Sequence, residues 1–211
     1  MIAIVDYGVG NLRSAQKGLE RAISEEGLGL EVRVSSERAD VEKASAVVLP
    51  GVGAFAHCMT SLSEAGLDEV TCDAAASGRP FLGICVGMQI LFEESEEFGR
   101  VAGLGVLPGR VVKFRSDEVK IPHMGWNEVC LRTPSEMFAG IADGTHYYFV
   151  HSYYAVPTDS DLIVGTVDYG GEEVTAAVGR DNVFATQFHP EKSQDAGVHL
   201  LRNFVRGVGK S

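Results

Sequence analysis

Pro80-Phe-Leu-Gly83-Ile-Cys85-Val86-Gly87-Met-Gln89 is the stretch on which the fold turns. Residues 81–84 form a short apolar run that reads as a buried strand, and 88–94 read as the start of a helix. Between them, Gly83-x-Cys85-x-Gly87 is the thiol counterpart of the Gly-x-Ser-x-Gly nucleophile elbow. A strand that turns sharply into a helix brings neighbouring backbone too close for Cβ atoms, so glycines flank the turn. The turn lifts the sulfur from the sheet edge and sets it over a helix N-terminus, where unpaired N–H groups favour a thiolate. In isolation the same letters also describe a buried structural cysteine with two incidental glycines.

Upstream, strand-like and helical runs alternate. Strands are predicted at 2–6, 30–35 and 46–49, a turn at Gly8-Val9-Gly10, and helices near 11–25 and from about 54 through 77. This alternation predicts parallel β-α-β units, hence an α/β fold with a doubly wound, mostly parallel sheet and helices on both faces. Such sheets bind ligands outside the carboxyl ends of their strands, and Gly8, Gly51 and Cys85 all fall at such ends. Downstream the texture is β-rich, with runs at 110–114, 127–131, 146–156, 162–168, 174–179 and 183–188. These predict an antiparallel C-terminal half that extends or covers the sheet, closed by a helix at 198–208. With no repeat or long linker, residues 1–211 are expected to form one domain.

A second segment, Gln187-Phe-His189-Pro190-Glu191, ends a β-rich run. Proline drives the preceding residue towards an extended conformation, and in extended chain His189 and Glu191 point to the same side. A thiol nucleophile needs a base, and the base needs a partner that holds its tautomer. Cys85, His189 and Glu191 supply those roles. An oxyanion formed by thiolate attack needs donors fixed in advance. The N–H of Val86 is one candidate, and the Gly51-Val52-Gly53 segment is the other. Glycines on both sides would let the Val52 peptide take either of two orientations.

Gly-Ile-Cys85-Val-Gly-Met-Gln89 together with Gln187-Phe-His189-Pro-Glu191 resembles the class I (triad) glutamine amidotransferase family. Leu49-Pro-Gly51-Val52-Gly53-Ala-Phe resembles that family's oxyanion strand. Pro122-His-Met-Gly-Trp126-Asn127, the opening Ile4-Val-Asp-Tyr-Gly8-Val-Gly10-Asn11 and Glu191-Lys192-Ser193 are similar to one branch, the glutaminase subunits of imidazole glycerol phosphate synthase in histidine biosynthesis. The resemblance implies glutamine hydrolysis through a cysteine thioester. It implies L-glutamine contacts at Gly51, Gln89, Glu97, Ser152 and Tyr153. It also implies a partner, a (β/α)₈-barrel cyclase that receives the ammonia in a heterodimer, with Asn11, Trp126, Asn127 and Lys192 as candidate interface residues. Glu97 also reads as part of a solvated acidic run at 93–97, and Trp126 as a core residue. Rival functions are an amidotransferase subunit for pyridoxal phosphate, purine or anthranilate synthesis, a cysteine peptidase, or a stress protein with a thiol on a similar elbow.

Composition narrows the field further. The 211 residues are 45% hydrophobic and 22% charged, ordinary for a folded α/β domain. A formal net charge of −11 disfavours a nucleic-acid surface, which needs clustered Lys and Arg. No run approaches the roughly 20 apolar residues of a membrane span, and the opening lacks the basic start and apolar core of a signal peptide. A cytoplasmic protein is expected. Cysteines at 58, 72, 85 and 130 show no Cys-x-x-Cys spacing, and His123, His146 and His151 no ligand spacing, so neither metal nor cofactor is expected. Position 13 is Arg, where a dinucleotide loop would need glycine.

Overall fold

The computed structural model describes residues 1–115 and 119–209. Its first half alternates as β1 (Ile2–Val5), α1 (Leu12–Glu26), β2 (Val32–Ser35), α2 (Arg38–Lys43), β3 (Ala46–Gly51), α3 (Phe55–Glu64), α4 (Asp68–Ala76) and β4 (Phe81–Cys85). The strands β1, β3 and β4 are buried along their whole length, as befits parallel strands covered on both faces. α1 buries Ala15, Leu19, Ala22 and Ile23, one stripe at helical spacing. It stops at Gly27, whose left-handed φ of 65° lets the N–H groups of Gly27 and Leu28 reach back to Ser24 and Ile23. The single helix predicted over 54–77 is two, α3 and α4, broken at Gly66 with φ 65°.

The second half runs α5 (Val86–Gln89), β5 (Phe92–Ser95), β6 (Val101–Ala102), β7 (Leu107–Lys113), β8 (His123–Leu131), β9 (Thr145–His151), β10 (Tyr153–Pro157), β11 (Ile163–Tyr169), β12 (Glu172–Arg180), β13 (Val183–Thr186) and α6 (Gln194–Val208). The main sheet has the order β2-β1-β3-β4-β13-β12-β11-β8-β9. From β2 to β13 every pairing is parallel, and from β13 to β9 every pairing is antiparallel. A smaller sheet, β10-β7-β5-β6, carries the rest. α1 packs on α6 and α2 on α4, the two-faced covering that right-handed crossovers produce when strand order reverses. One core cluster extends from Ile2 to Val208 and takes in Leu107, Val111 and Ala155 of the smaller sheet.

Two sequence expectations fail in the same place. The helix expected over 88–94 is a single turn, α5, and the chain returns to strand at β5. Ile90, Leu91 and Phe92 are fully buried on successive sides of the chain, which no surface helix permits. The acidic run 93–97 is therefore not a solvated helix face. It passes along the smaller sheet, with Ser95 buried.

Candidate active site

β1 and β3 are neighbours, but the chain leaves β1 for β2 on one side and continues from β3 to β4 on the other. This is the switch point of a doubly wound sheet, where a crevice opens beyond the carboxyl ends. A cavity of about 600 Å³ lies there. Gly10 and Asn11 border it from beyond β1, Val52 and Gly53 from beyond β3, and Cys85, Val86 and Gln89 from the end of β4. Glu97, Ser152, Tyr153, His189 and Lys192 also border it.

The elbow at Cys85 is shaped by close packing. Cys85 has φ 56° and ψ −114°, a conformation that costs about 1–3 kcal/mol and survives only where the surroundings over-determine it. They do. A Cβ on Gly87 would stand 1.9 Å from the carbonyl oxygen of Leu49, and one on Gly83 would stand 2.9 Å from Cβ of Ala185. Gly51 faces the elbow from the other side, where a Cβ would meet the nitrogen of Gly87 at 2.6 Å. Gly51 is thus a contact that lets β3 approach the elbow, and it does not border the cavity as a glutamine contact would. Since α5 is one turn long, the thiol gains the free N–H groups at its start and little macrodipole.

The adjoining turn is held differently. The Tyr7 hydroxyl donates to the carbonyl of Pro50 at 2.7 Å, and the Cys58 thiol donates to that of Val52 at 3.4 Å. Gly53 has φ 86° with open space where a Cβ would be. Two anchored carbonyls thus flank the Gly51–Val52 peptide.

His189 and Glu191 meet as expected, with Nδ1 2.8 Å from Oε1 and side chains only 1% and 2% exposed. The local geometry differs from the extended chain predicted, because residues 190–192 form a 3₁₀ turn. Proline at its first position fixes φ for that turn, and the turn, not strand alternation, brings the carboxylate back to the ring. A carboxylate only accepts, so Nδ1 carries the hydrogen and Nε2 is left as the reactive nitrogen. Nε2 is buried and finds no hydrogen-bond partner among the described residues, and the same holds for Oε2 of Glu191. Burial pulls the imidazole pKa down, but the Cys85 thiolate and the Glu191 carboxylate outweigh it and raise it above the ordinary range. This direction favours a thiolate–imidazolium pair.

Two residues that carry weight here had no role assigned from sequence. Ser193, fully buried, donates to the His189 carbonyl at 2.6 Å and accepts from the Tyr148 N–H at 3.0 Å, clamping the turn to β9. Gln187, also fully buried, donates to Cys85 Sγ at 3.8 Å. A long polar side chain in a run that is mostly apolar, Val183-Phe-Ala-Thr-Gln187-Phe188, was the available signal for Gln187.

The remaining predicted residues divide. Glu97 accepts from the Phe55 N–H at 2.7 Å, capping the start of α3 with one oxygen while still bordering the cavity. Trp126 is 46% exposed on β8 and so is not a core residue, and Met124 beside it is 62% exposed. Neither Trp126 nor Asn127 borders the cavity, and the Asn127 amide is committed to the Asp168 carbonyl at 2.9 Å and to His123 Nε2 at 3.3 Å. Lys192 is exposed, 5.9 Å from the Tyr148 ring centroid. His123 and His151 form a buried pair, Nδ1 to Nε2 at 3.0 Å, and burial lowers their pKa values to about 4 and about 3. Among the described residues no group of side chains has the makings of a metal site.

An elbow thiol, an imidazole–carboxylate pair and a glycine turn, gathered at the switch point of a doubly wound sheet, define a thiol-dependent amide-cleaving enzyme. The chain belongs to the class-I glutamine amidotransferase family, whose model, "Glutamine amidotransferase class-I", matches residues 4–208. It is 51% identical over 210 residues to "Imidazole glycerol phosphate synthase subunit HisH" of Syntrophotalea carbinolica, covering 97% of this chain and 98% of that one. The subunits of the same name from Aromatoleum aromaticum and Moorella thermoacetica are 51% and 48% identical, covering 97% and 100% of this chain and 97% and 98% of theirs. Among solved structures, a "glutamine amidotransferase" superposes with a TM-score of 0.73 at 19% identity, covering 99% of this chain and 98% of the other. A glutamine amidotransferase from Thermotoga maritima gives 0.67 at 16%, covering 100% and 97%. Those two likenesses speak to the fold.

Proposed function

We infer that this chain is the glutaminase subunit of imidazole glycerol phosphate synthase, a single domain that hydrolyses glutamine to glutamate and ammonia for histidine biosynthesis. Identity near 50% along nearly the whole length of curated subunits supports the branch. The observation that carries the chemistry is the convergence of Cys85 and His189 on one cavity, with Glu191 behind the imidazole.

In this reading the Cys85 thiolate attacks the side-chain amide carbon of glutamine. The oxyanion is received by the Val86 N–H and by an N–H of the Val52–Gly53 turn. His189 gives its Nε2 proton to the departing ammonia, leaving a γ-glutamyl thioester. The now neutral imidazole takes a proton from water, whose oxygen attacks the thioester, and glutamate leaves with the thiolate restored. Glu191 holds the Nδ1 hydrogen throughout and stabilises each imidazolium. Gln89, Glu97, Ser152 and Tyr153 grip the amino-acid end. Glu97 keeps one oxygen for the substrate ammonium while the other caps α3.

The relatives are named as subunits, so this chain works with a partner. We take that partner to be a (β/α)₈-barrel cyclase, which joins the ammonia to a phosphorylated ribulosyl intermediate to give imidazole glycerol phosphate and an aminoimidazole carboxamide ribotide. Asn11 and Lys192 on the cavity rim and the exposed Met124 and Trp126 of β8 support a docking face beside the cavity mouth. Asn127 acts from within β8, through its internal hydrogen bonds. A cytoplasmic site of action is part of the proposal. All four cysteines are free, as in a reducing compartment, and no described helix is long and apolar enough to cross a membrane.

The test is glutamate release by the chain alone, with the barrel subunit, and with barrel plus its phosphorylated substrate. The expected order is rising, because a partner that binds only the competent turn shifts the population by its differential affinity. Equal turnover in all three removes the coupling. Casein hydrolysis without glutamate release would favour a peptidase instead.

A further inference from the structure

Gln187 lies between β13 and His189, and the triad chemistry leaves its side chain without a task. Its amide has a partner at each end. Oε1 accepts from Gln89 Nε2 at 3.0 Å, and Nε2 donates to Cys85 Sγ at 3.8 Å, within reach for sulfur.

A count of donors determines that orientation. Gln89 Nε2 has two hydrogens and gives the other to the Tyr153 carbonyl at 2.9 Å. A flipped Gln187 would therefore set two NH₂ groups against each other, so its own NH₂ must face the sulfur. The Tyr153 carbonyl is held in turn, accepting from His151 Nδ1 at 2.9 Å. A carbonyl cannot donate, so His151 carries its hydrogen on Nδ1 and accepts at Nε2. His123 must then donate from Nδ1 across 3.0 Å and accept at Nε2 from Asn127. Every donor and tautomer along this buried run follows from one carbonyl.

We propose that Gln187 is a further catalytic residue of the glutaminase, donating to the Cys85 sulfur and stabilising the thiolate before attack. Gln89 and the Tyr153 carbonyl are its positioning groups. The proposal rests on Cys85 being the nucleophile. A hydrogen bond to the charged form of an acid favours that form, and one made to an ion is about twice as strong as one between neutral groups. The thiol proton goes to His189 Nε2, and no other bond changes. Gln89 acquires a narrower role in consequence. With both hydrogens engaged, it can meet glutamine only through Oε1, as an acceptor.

The experiment compares the unaltered chain with Gln187→Leu, which lacks the donor at similar size, and Gln187→Glu, which keeps the acceptor for Gln89 and sets a carboxylate by the sulfur. Iodoacetamide alkylation of Cys85 is followed against pH by mass spectrometry of the Cys85 peptide, and steady-state glutaminase is measured in the complex with the partner subunit. The alkylation midpoint should rise by about one pH unit in Gln187→Leu and further in Gln187→Glu, with kcat down roughly tenfold or more and KM little changed. A folded Gln187→Leu chain with the unaltered midpoint and kcat would overturn the proposal. Should both variants fail to fold, the Gln187 side-chain ¹⁵N resonance of the unaltered chain decides. It should shift with the ionisation of Cys85 and lose that pH dependence in Cys85→Ala, and a resonance insensitive to both pH and the substitution refutes the contact. Failure of a glutamine-analogue alkylator to label Cys85 in the unaltered chain would instead refute the nucleophile.

Discussion

The two walls of the cavity are built on different physics. The wall at the end of β4 is steric. Cys85 holds its strained backbone because Gly83, Gly87 and Gly51 let three strands close to distances no Cβ allows. The opposite wall, from β8 through β9 to Tyr153, is polar. Its shape depends on the run from Asn127 through His123 and His151 to the Tyr153 carbonyl. The first wall can be broken only by adding atoms, and pH leaves it untouched. The second can be broken by a proton. In the proposed reading the nucleophile Cys85 stands on the steric wall, while Ser152 and Tyr153 of the substrate grip stand on the polar one.

The largest effect belongs to the reacting groups, Cys85 on the steric wall and His189 beyond β13. Cys85→Ala and His189→Ala should each remove glutamine hydrolysis by roughly a thousandfold or more, with far-UV circular dichroism unchanged. A glutamine-analogue alkylator should label Cys85 alone. Cys58 is buried, its thiol pushed up to about 11, and Cys72 is also raised by burial. Near-normal turnover in His189→Ala would remove the triad.

Next in size is an atom added to that wall. In Gly87→Ala the new carbon would lie 1.9 Å from the Leu49 carbonyl oxygen, and overpacking of this kind costs about 1–3 kcal/mol or more. A fall in urea midpoint together with loss of activity is expected. If the variant is as stable and active as the unaltered chain, close packing is not what shapes the elbow.

The polar wall should respond to acid. His123 and His151 are held below their ordinary pKa, so the unfolded chain binds protons that the folded chain refuses. The contribution of this pair is intact above about pH 6.5, the ordinary histidine value, and falls as pH drops towards about 4. The His123 share is on the order of 3 kcal/mol at the acid end. Urea midpoints from pH 7 to pH 4 should fall less steeply in a His123→Phe, His151→Leu double variant, and identical slopes would show that the pair plays no part.

The smallest effect is expected at Gly53. Its φ of 86° disfavours a side chain, but nothing stands where the Cβ would go. Gly53→Ala should cost about 1 kcal/mol of stability and change activation by the partner more than basal turnover. A loss as large as that of Gly87→Ala would mean the turn is as tightly packed as the elbow.

The parallel half and the segment after β13 were legible because their signals are local. Apolar runs, the glycine-flanked cysteine and the His-Pro-Glu segment each carry their meaning within a few residues. The misreadings come where burial on all sides erases periodicity. Residues 88–94 hold good helix formers, yet Ile90, Leu91 and Phe92 are buried in succession and the chain becomes strand. Gly51 borders the elbow and not the ligand space, Asn127 is spent inside its own sheet, and Glu97 doubles as a helix cap. Such assignments depend on which groups a side chain meets, and spacing along the chain carries no record of that.

The residue types and their short-range spacing alone determined the α/β class, the elbow cysteine and the imidazole–carboxylate pair, since backbone sterics and proline geometry act over a few residues. Only the tertiary structure decided that the pair is joined by a 3₁₀ turn, that Ser193 clamps it and that Gln187 faces the sulfur. Hydrogen-bond direction and burial are properties of groups brought together from distant parts of the chain, and they exist only once it has folded.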